Sequence, residues 1–444
     1  MALQDQSLTG AGPASARIVA LDALRGFAVL GIFIINIIGF SMPGLAFNYP
    51  TAAGGDGALN YGLWTFTEIF VEGSMRGLFS LMFGAGLILF TERALYPDGP
   101  IRVADLYYRR TLWLIIFGLI NTFVLLMPGD ILLIYGMAGL LLFPFRILPA
   151  RRLALAAGVI ACLFMAHDAF IVELPETREG LLAEELIVRA EAGEDLSEED
   201  QDTVDAWNKK LDRVRNPDEA VQQDIADRTG DILTVFRTNA EWSDFSTEGL
   251  SWWVVDALMM MLLGMAFYKW RIVTGERSAG FYALMAIAGY AVGGALRAWA
   301  VWERWDSDFS PLLWASWIPF QPARIAVTIG HIGLFFVLWK MFAASWLFRA
   351  LAATGRMALT NYAAQTVVAN LIFSGVGLGL YGALDRAQVY LVMIAVWIVQ
   401  LAASLWWLGR FRFGPLEWGW RCLTYWRRQP FRKAASVADN AALV

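Results

Sequence analysis

Histidine and cysteine are scarce in this 444-residue chain, two of each, and charged residues make up only 17% of it. Cys162 lies in an apolar run and Cys422 in a basic C-terminal region, settings too different for a disulfide or a thiolate metal site. No His/Cys set at zinc spacing, no phosphate-binding glycine loop and no Gly-x-Ser-x-Gly elbow occurs, so no metal is expected. The net charge of −5 is an average over two solvents and points to no nucleic acid. What the chain has is apolar mass: 58% hydrophobic residues, 20 Trp and 29 Phe, with a mean hydropathy of +0.50. Runs of about 20 apolar residues recur, more than one soluble core can hide. The expected fold is all-α, a polytopic transmembrane helical bundle.

About ten spans are expected, near 18–41, 65–92, 110–127, 130–146, 152–171, 249–269, 279–302, 320–341, 355–376 and 387–409. The first is too long for a signal-peptide core and is read as a retained helix. The second is longer than a bilayer needs, and its opening "WTFTEIFVEG" (64–73), with Glu68 and Glu72, either lies at the interface or re-enters. Every second loop is basic: Arg93 to Arg110, Arg146 to Arg152, Lys269 to Arg277, Lys340 to Arg356, then Arg410 to Arg428. By the positive-inside rule both termini are expected in the cytoplasm, in agreement with an even helix count.

Five parts follow. They are a cytoplasmic segment 1–17, helices one to five over 18–171, an acidic helical extracytoplasmic loop 172–248, helices six to ten over 249–409, and a cytoplasmic amphipathic segment with a disordered tail, 410–444. The acidic loop reads as a solvated cap or, alternatively, a gate.

Charged and amide groups inside spans are costly and usually face the protein interior or a cavity. In "LDALRGFAVLGIFIIN" (21–36), Arg25 and Asn36 are eleven residues apart, nearly the same helix face and about 16 Å along the axis. Arg25 either pairs with Asp22 or binds a cytoplasmic anion; Asn36 either bonds a neighbouring helix or positions a reacting group. Asp130, opening helix four in "PGDILLIYG", is an N-cap or a general base. His331 sits about eleven residues inside helix eight, a packing histidine or a proton carrier. Arg356, Asn361, Tyr362 and Gln365 in "GRMALTNYAAQT" give helix nine a polar half that is expected to border a cavity. Glu417 stands four residues from Arg421, the spacing of a helical ion pair.

The blocks "LDALRGFAVLGIFIINI", "MRGLFSLMFGAGL", "GDILLIYG", "GRMALTNY" and "GPLEWGWRCLTY" resemble the YeiB family of bacterial membrane proteins. The resemblance runs from about residue 18 to residue 428, interrupted by the acidic loop. More distantly, the first block is similar to transmembrane acyltransferases of the heparan-glucosaminide acetyltransferase and acyltransferase-3 types, which carry acyl groups from cytoplasmic acyl-CoA to acceptors outside. That likeness implies about ten helices around a tunnel, with Arg25 where the acyl-CoA enters and Asn36 near the reacting carbonyl. Two departures stand out. The acyltransferase-3 pattern has a His where this chain has Asn36, and the heparan type has its catalytic His where this chain has Phe47 beside Asn48.

The expected activity is acyl transfer across the bacterial inner membrane, with acyl-CoA, most simply acetyl-CoA, as co-substrate. Asn36, Asp130 and His331 are the catalytic candidates, Asn36 for the oxyanion and one of the others as base. Arg25, Arg76, Arg356, Asn361, Tyr362 and Gln365 are the donor-binding candidates. Expected partners are membrane lipids, a small-molecule or glycan acceptor, and a second copy in a homodimer. The alternative is a transporter or exporter of a small or amphipathic molecule through the same polar cavity.

Overall fold

A backbone in lipid must satisfy its own hydrogen bonds, and a helix does so within one segment. The computed structural model describes residues 19–127, 129–242, 247–309 and 318–433, and over them the chain is an all-α bundle. The β pairing among the described residues is a single isolated bridge, Phe411 to Arg432.

Helix α1 (Val19–Ser41) is the hub. It packs against α3 (Ser74–Phe123), α13 (Phe320–Phe342), α14 (Trp346–Arg356), α15 (Ala358–Phe373) and α16 (Arg386–Arg410). It is buried nearly all round; past the exposed Val19, the half-buried positions are Arg25, Phe27 and the run Ile34 to Asn36. Its seam with α14 is closed by glycine: a Cβ on Gly26 would meet the Leu351 carbonyl, and one on Gly355 the Asp22 carbonyl. The pairs run antiparallel, with backbone on backbone. A second such seam joins α3 to α10 (Thr247–Lys269), where Gly84 faces Met261 and Gly264 faces Leu81.

Helix α2 (Ala58–Phe70) leads into α3 through a break at Val71–Gly73, with Gly73 left-handed at φ 70°. Fifty residues of straight helix would be about 75 Å long. The element is instead a hairpin of two arms. A Cβ on Gly139 would lie near both Phe83 and Thr111, and the Phe90 and Tyr107 rings are 6.5 Å apart. The reversal lies between Phe90 and Tyr107, a stretch whose sequence holds Pro97, Gly99 and Pro100, residues that a straight helix does not tolerate together.

Helix α4 (Ile131–Leu142) ends in a 3₁₀ turn over Phe143–Ile147 that holds Pro144. From α5 (Ala150–His167) the chain stays helical through a π turn, Asp168–Glu173, into α6 (Leu174–Glu191). This 42-residue rod, about 63 Å long, is twice what a bilayer core needs. Its acidic far half pairs with α7 (Glu198–Arg215) around a small core of Ala183, Trp207, Ile187 and Leu211. Helices α8 (Asp218–Thr229) and α9 (Ile232–Trp242) fold back onto the bundle. The Asp224 carboxylate accepts from the Gly44 amide at 2.8 Å and the Tyr381 hydroxyl at 3.0 Å, and Asn239 donates to the Thr122 carbonyl. The helices of the insertion thus lie inside the expected loop 172–248, and its second half is a lid on the end of the bundle where α1 finishes.

Seven helical stretches among the described residues are long and apolar enough to cross a membrane: Val19–Ser41, Ala58–Glu92, Ala150–Glu191, Gly249–Lys269, Ala279–Asp306, Phe320–Phe342 and Arg386–Arg410. They overlap seven of the ten expected spans, with Ala150–Glu191 running past the expected end at 171 and Ala58–Glu92 starting before the expected 65. Ala279–Asp306 joins α11 (Ala279–Gly289) to α12 (Ala295–Asp306) through a π turn. The other three spans are shorter or broken pieces. Span 110–127 is the second arm of α3, span 130–146 is α4 with its 3₁₀ turn, and span 355–376 falls on α15, cut from α14 at Met357. After α16, helix α17 (Pro415–Tyr425) lies across the starts of the second α3 arm and α15.

Candidate functional site

The two polar residues of α1 have different surroundings. The Arg25 guanidinium donates to Asp22 at 3.3 Å, so the expected pairing one turn earlier is present. It also lies against Gly86, 3.7 Å from where a Cβ would sit, and within electrostatic reach of Arg110. Asn36 is half-buried in the far half of α1, and its side-chain amide has no hydrogen-bond partner among the described residues.

Helix α15 brings its polar groups to two places. Asn361 donates to the Ser404 hydroxyl at 3.0 Å, Gln400 donates to the Asn361 carbonyl at 2.8 Å, and Gln365 donates to Gln400 at 3.1 Å and to the Val29 carbonyl at 3.5 Å. This network ties α15 to α16 and α1 and is largely self-satisfied. The Tyr362 hydroxyl turns the other way, to the start of α4, where it accepts from the Ile131 amide at 3.4 Å, one residue from Asp130.

Asp130 is the N-cap of α4. One oxygen accepts from the Leu133 amide at 3.0 Å and the other from Asn121 at 2.8 Å. The N-cap reading therefore holds, yet the Asn121 contact exceeds what a cap needs. Three parts of the chain meet here. Tyr135, one turn further in, shares a 2.7 Å hydrogen bond with Ser80 and donates to the Arg76 carbonyl.

His331 belongs to another group. Its Nε2 stands 2.7 Å from the Phe70 carbonyl oxygen, so that nitrogen carries the proton, and Nδ1 accepts from the Tyr290 hydroxyl at 2.8 Å. Ser74 Oγ is 3.2 Å from Nε2, and the Phe27 ring of α1 meets the imidazole edge-on at 6.4 Å between centroids. Both ring nitrogens are in use.

The donor-binding candidates divide. Arg356 donates to the Arg412 carbonyl at 3.2 Å, against the α16–α17 connection. Arg76 stacks on Trp253 at 4.2 Å and faces Asp256 at 3.8 Å. The sequence reading missed most of the network that Arg76 joins. Arg324, fully buried, is bidentate on Asp256, with Nη1 to Oδ2 at 3.1 Å, and Gln321 adds a third contact. Arg297 donates to the Glu68 carbonyl and Arg304 to its carboxylate at 3.1 Å, and Glu72 lies within electrostatic reach of Glu68, Arg76, Arg297 and Arg324. A lone Asp in "VVDALMMM" and lone arginines in α12 and α13 were the available signals. Glu417, four residues from Arg421, turns its carboxylate to Thr360, accepting from its amide at 3.0 Å and its hydroxyl at 2.6 Å. It caps α15 from outside. Among the described residues no group of three or more His, Cys, Asp and Glu is placed to hold a metal ion.

Residues 267–427 match a family model described as a protein of unknown function (DUF418). Over most of its length the chain is similar to three bacterial proteins. It is 29% identical over 412 residues to the uncharacterized protein YeiB of Escherichia coli (strain K12), spanning 92% of this chain and 96% of that protein. It is 28% identical over 436 residues to the uncharacterized protein YxaH of Bacillus subtilis (strain 168), with 95% and 97% covered. It is 28% identical over 430 residues to an uncharacterized 39.9 kDa protein in the amylase 3'region of Bacillus acidopullulyticus, with 93% and 95% covered. No solved structure matches the chain.

Proposed function

This chain belongs to the YeiB family, and from that premise we propose that it is a membrane-embedded acyltransferase, moving an acyl group from cytoplasmic acyl-CoA to an acceptor reached from the lid side. One observation carries the reading. On the hub helix, the half-buried polar residues Arg25 and Asn36 share a face eleven residues apart, the first within electrostatic reach of Arg110 and the second with its amide free. A donor whose phosphates rest at Arg25 lays its acyl end along that face. Asn36 then donates to the carbonyl oxygen as it gains charge, and Asp130, steadied by Asn121, takes the proton from an attacking hydroxyl or amine. The new ester or amide forms as the thiolate leaves. His331, with both nitrogens engaged, supports the α2–α3 break instead of acting as the base. The acceptor is a sugar, a lipid-linked glycan or a small metabolite, and the bundle end where α1 begins faces the cytoplasm of a bacterial inner membrane.

A second reading, export of a small or amphipathic solute, is favoured by the buried ion network of Arg76, Asp256, Arg324 and Glu68. Paired charges inside a bundle commonly mark ion pathways. Native mass spectrometry of the purified protein with acetyl-CoA and longer acyl-CoAs separates the two. The expected result is a bound acyl-CoA on the wild type, weakened at least tenfold by Arg25→Ala. No binding by any acyl-CoA overturns the acyltransferase, and proton-linked flux in proteoliposomes without product then supports the exporter.

A further inference from the structure

We infer that Arg25, Arg110 and Arg421 form a binding site for a phosphate-bearing anion with at least two phosphate groups. Three elements bring these guanidiniums together. Arg25, on α1, lies against Gly86 of the first α3 arm. Arg110, on the second arm, stands 5.8 Å from the Phe90 ring, one helical turn along from Gly86 on the same face. It also stacks on Trp420 of α17 at 4.0 Å, and Arg421 is the next residue, itself 4.5 Å from the Phe413 ring. Arg25 and Arg421 are the like charges that Arg110 faces most strongly.

Asp22 bonds Arg25, Asp105 pairs with Arg109 at 2.9 Å, and Glu417 is turned to Thr360. Three mutually repelling cations with Asp22 among them gain from a polyanion, which relieves the repulsion. The stacking matters too. A guanidinium lying on an aromatic face keeps its edge N–H groups able to fork onto phosphate oxygens. Helix α17 is fixed in place by the Trp420 indole donating to the Arg110 carbonyl at 2.9 Å, so the segment after the last span supplies part of the wall.

A free diphosphate, such as that of a coenzyme, and an anionic diphosphate lipid present the same chemistry. That the anion belongs to the acyl donor rests on the function proposed above; the site itself does not. The test is calorimetric titration of the detergent-solubilised full chain with inorganic pyrophosphate, and native mass spectrometry with cardiolipin, on wild type, Arg110→Gln and Arg421→Gln. Arg349→Ala, an exposed arginine of α14, serves as the control.

The expected result is pyrophosphate binding weakened at least tenfold by each glutamine variant and unchanged by the control. Cardiolipin retained with the same dependence, without pyrophosphate binding, assigns the site to a lipid headgroup. No binding of either, or binding indifferent to Arg421→Gln, overturns the site. Arg421→Gln lies on a surface helix, so that comparison survives if Arg110→Gln does not fold. Pyrophosphate binding without acyl-CoA binding overturns the acyltransferase and leaves the site. Acyl transfer with an unchanged KM for acyl-CoA in Arg421→Gln does the reverse for the donor assignment.

Discussion

Glu417 is a carboxylate doing the work of a helix cap from a distance. Its oxygens take the Thr360 amide and hydroxyl, while burial pushes its carboxyl above the ordinary range against the pull of those same hydrogen bonds. The sign follows from linkage. A carboxyl that binds its proton more tightly in the folded protein lowers stability as pH rises from below 4.5 through its folded value. Glu417→Gln is therefore expected to flatten the fall of Tm over that interval, measured by thermal unfolding of the detergent-solubilised protein. Glu417→Ala should lose about 1–2 kcal/mol, the usual worth of an N-cap. An unchanged pH profile in the glutamine variant would remove burial as the cause. The sequence placed Glu417 beside Arg421 by spacing alone, because spacing sees only one helix and the true partner is 57 residues away. The same blindness hid Asp256 and Arg324, 68 residues apart. Asp130 was legible as a cap, since that signal is local; its bond from Asn121 was not.

At the scale of elements, the α1–α14 seam and the lid carry opposite lessons about tolerance. A Cβ at Gly26 runs into the Leu351 carbonyl, which is backbone and cannot rotate away. Gly26→Ala is expected to cost about 2–3 kcal/mol or to abolish folding, as overpacking does. Gly62→Ala, on the open face of α2 with nothing within 4 Å, should be neutral or gain up to about 1 kcal/mol through helix propensity. Thermal melts of both variants check the pair, and equal losses would refute the seam.

The lid is held by fewer bonds, with Asp224 at their centre. Burial, and behind it the Asp224 carboxylate, keeps the Tyr381 phenol well above its ordinary value, so it stays a donor. Asp224→Ala removes the acceptor of that buried hydroxyl, at about 1–3 kcal/mol, and of the half-buried Gly44 amide, at less. Hydrogen exchange over 218–242 should quicken while α1 stays protected; simultaneous loosening of α1 would show that lid and bundle are one unit. Seven spans were readable because an apolar run that long, with few charges in it, fits a bilayer and little else. The second α3 arm and the α14–α15 break were harder, because the same polar residues that interest the chemist shorten the apolar run.

For the whole molecule, the alternation of basic and apolar segments makes a topological prediction. Reporter fusions at either terminus should give one signal, and an insertion at the α6–α7 turn, near Gly193, the other. Opposite signals from the two termini would dismiss the even count of crossings, and matching signals from a terminus and the turn would dismiss the outside placement of the insertion. The hub position of α1 has a consequence for how the protein is made. This helix leaves the ribosome among the first, yet the Gln365 amide that bonds the Val29 carbonyl lies 336 residues later in the chain. At about 5–20 residues per second, that gap is on the order of tens of seconds. Until then α1 sits in the bilayer, or with the insertion machinery, with its glycine groove open and Arg25 and Asn36 without their final company. Ribosome-stalled chains ending before α14 should therefore be the forms that membrane quality-control proteases and insertion chaperones seize, and synthesis of α14 to α16 is the moment of release.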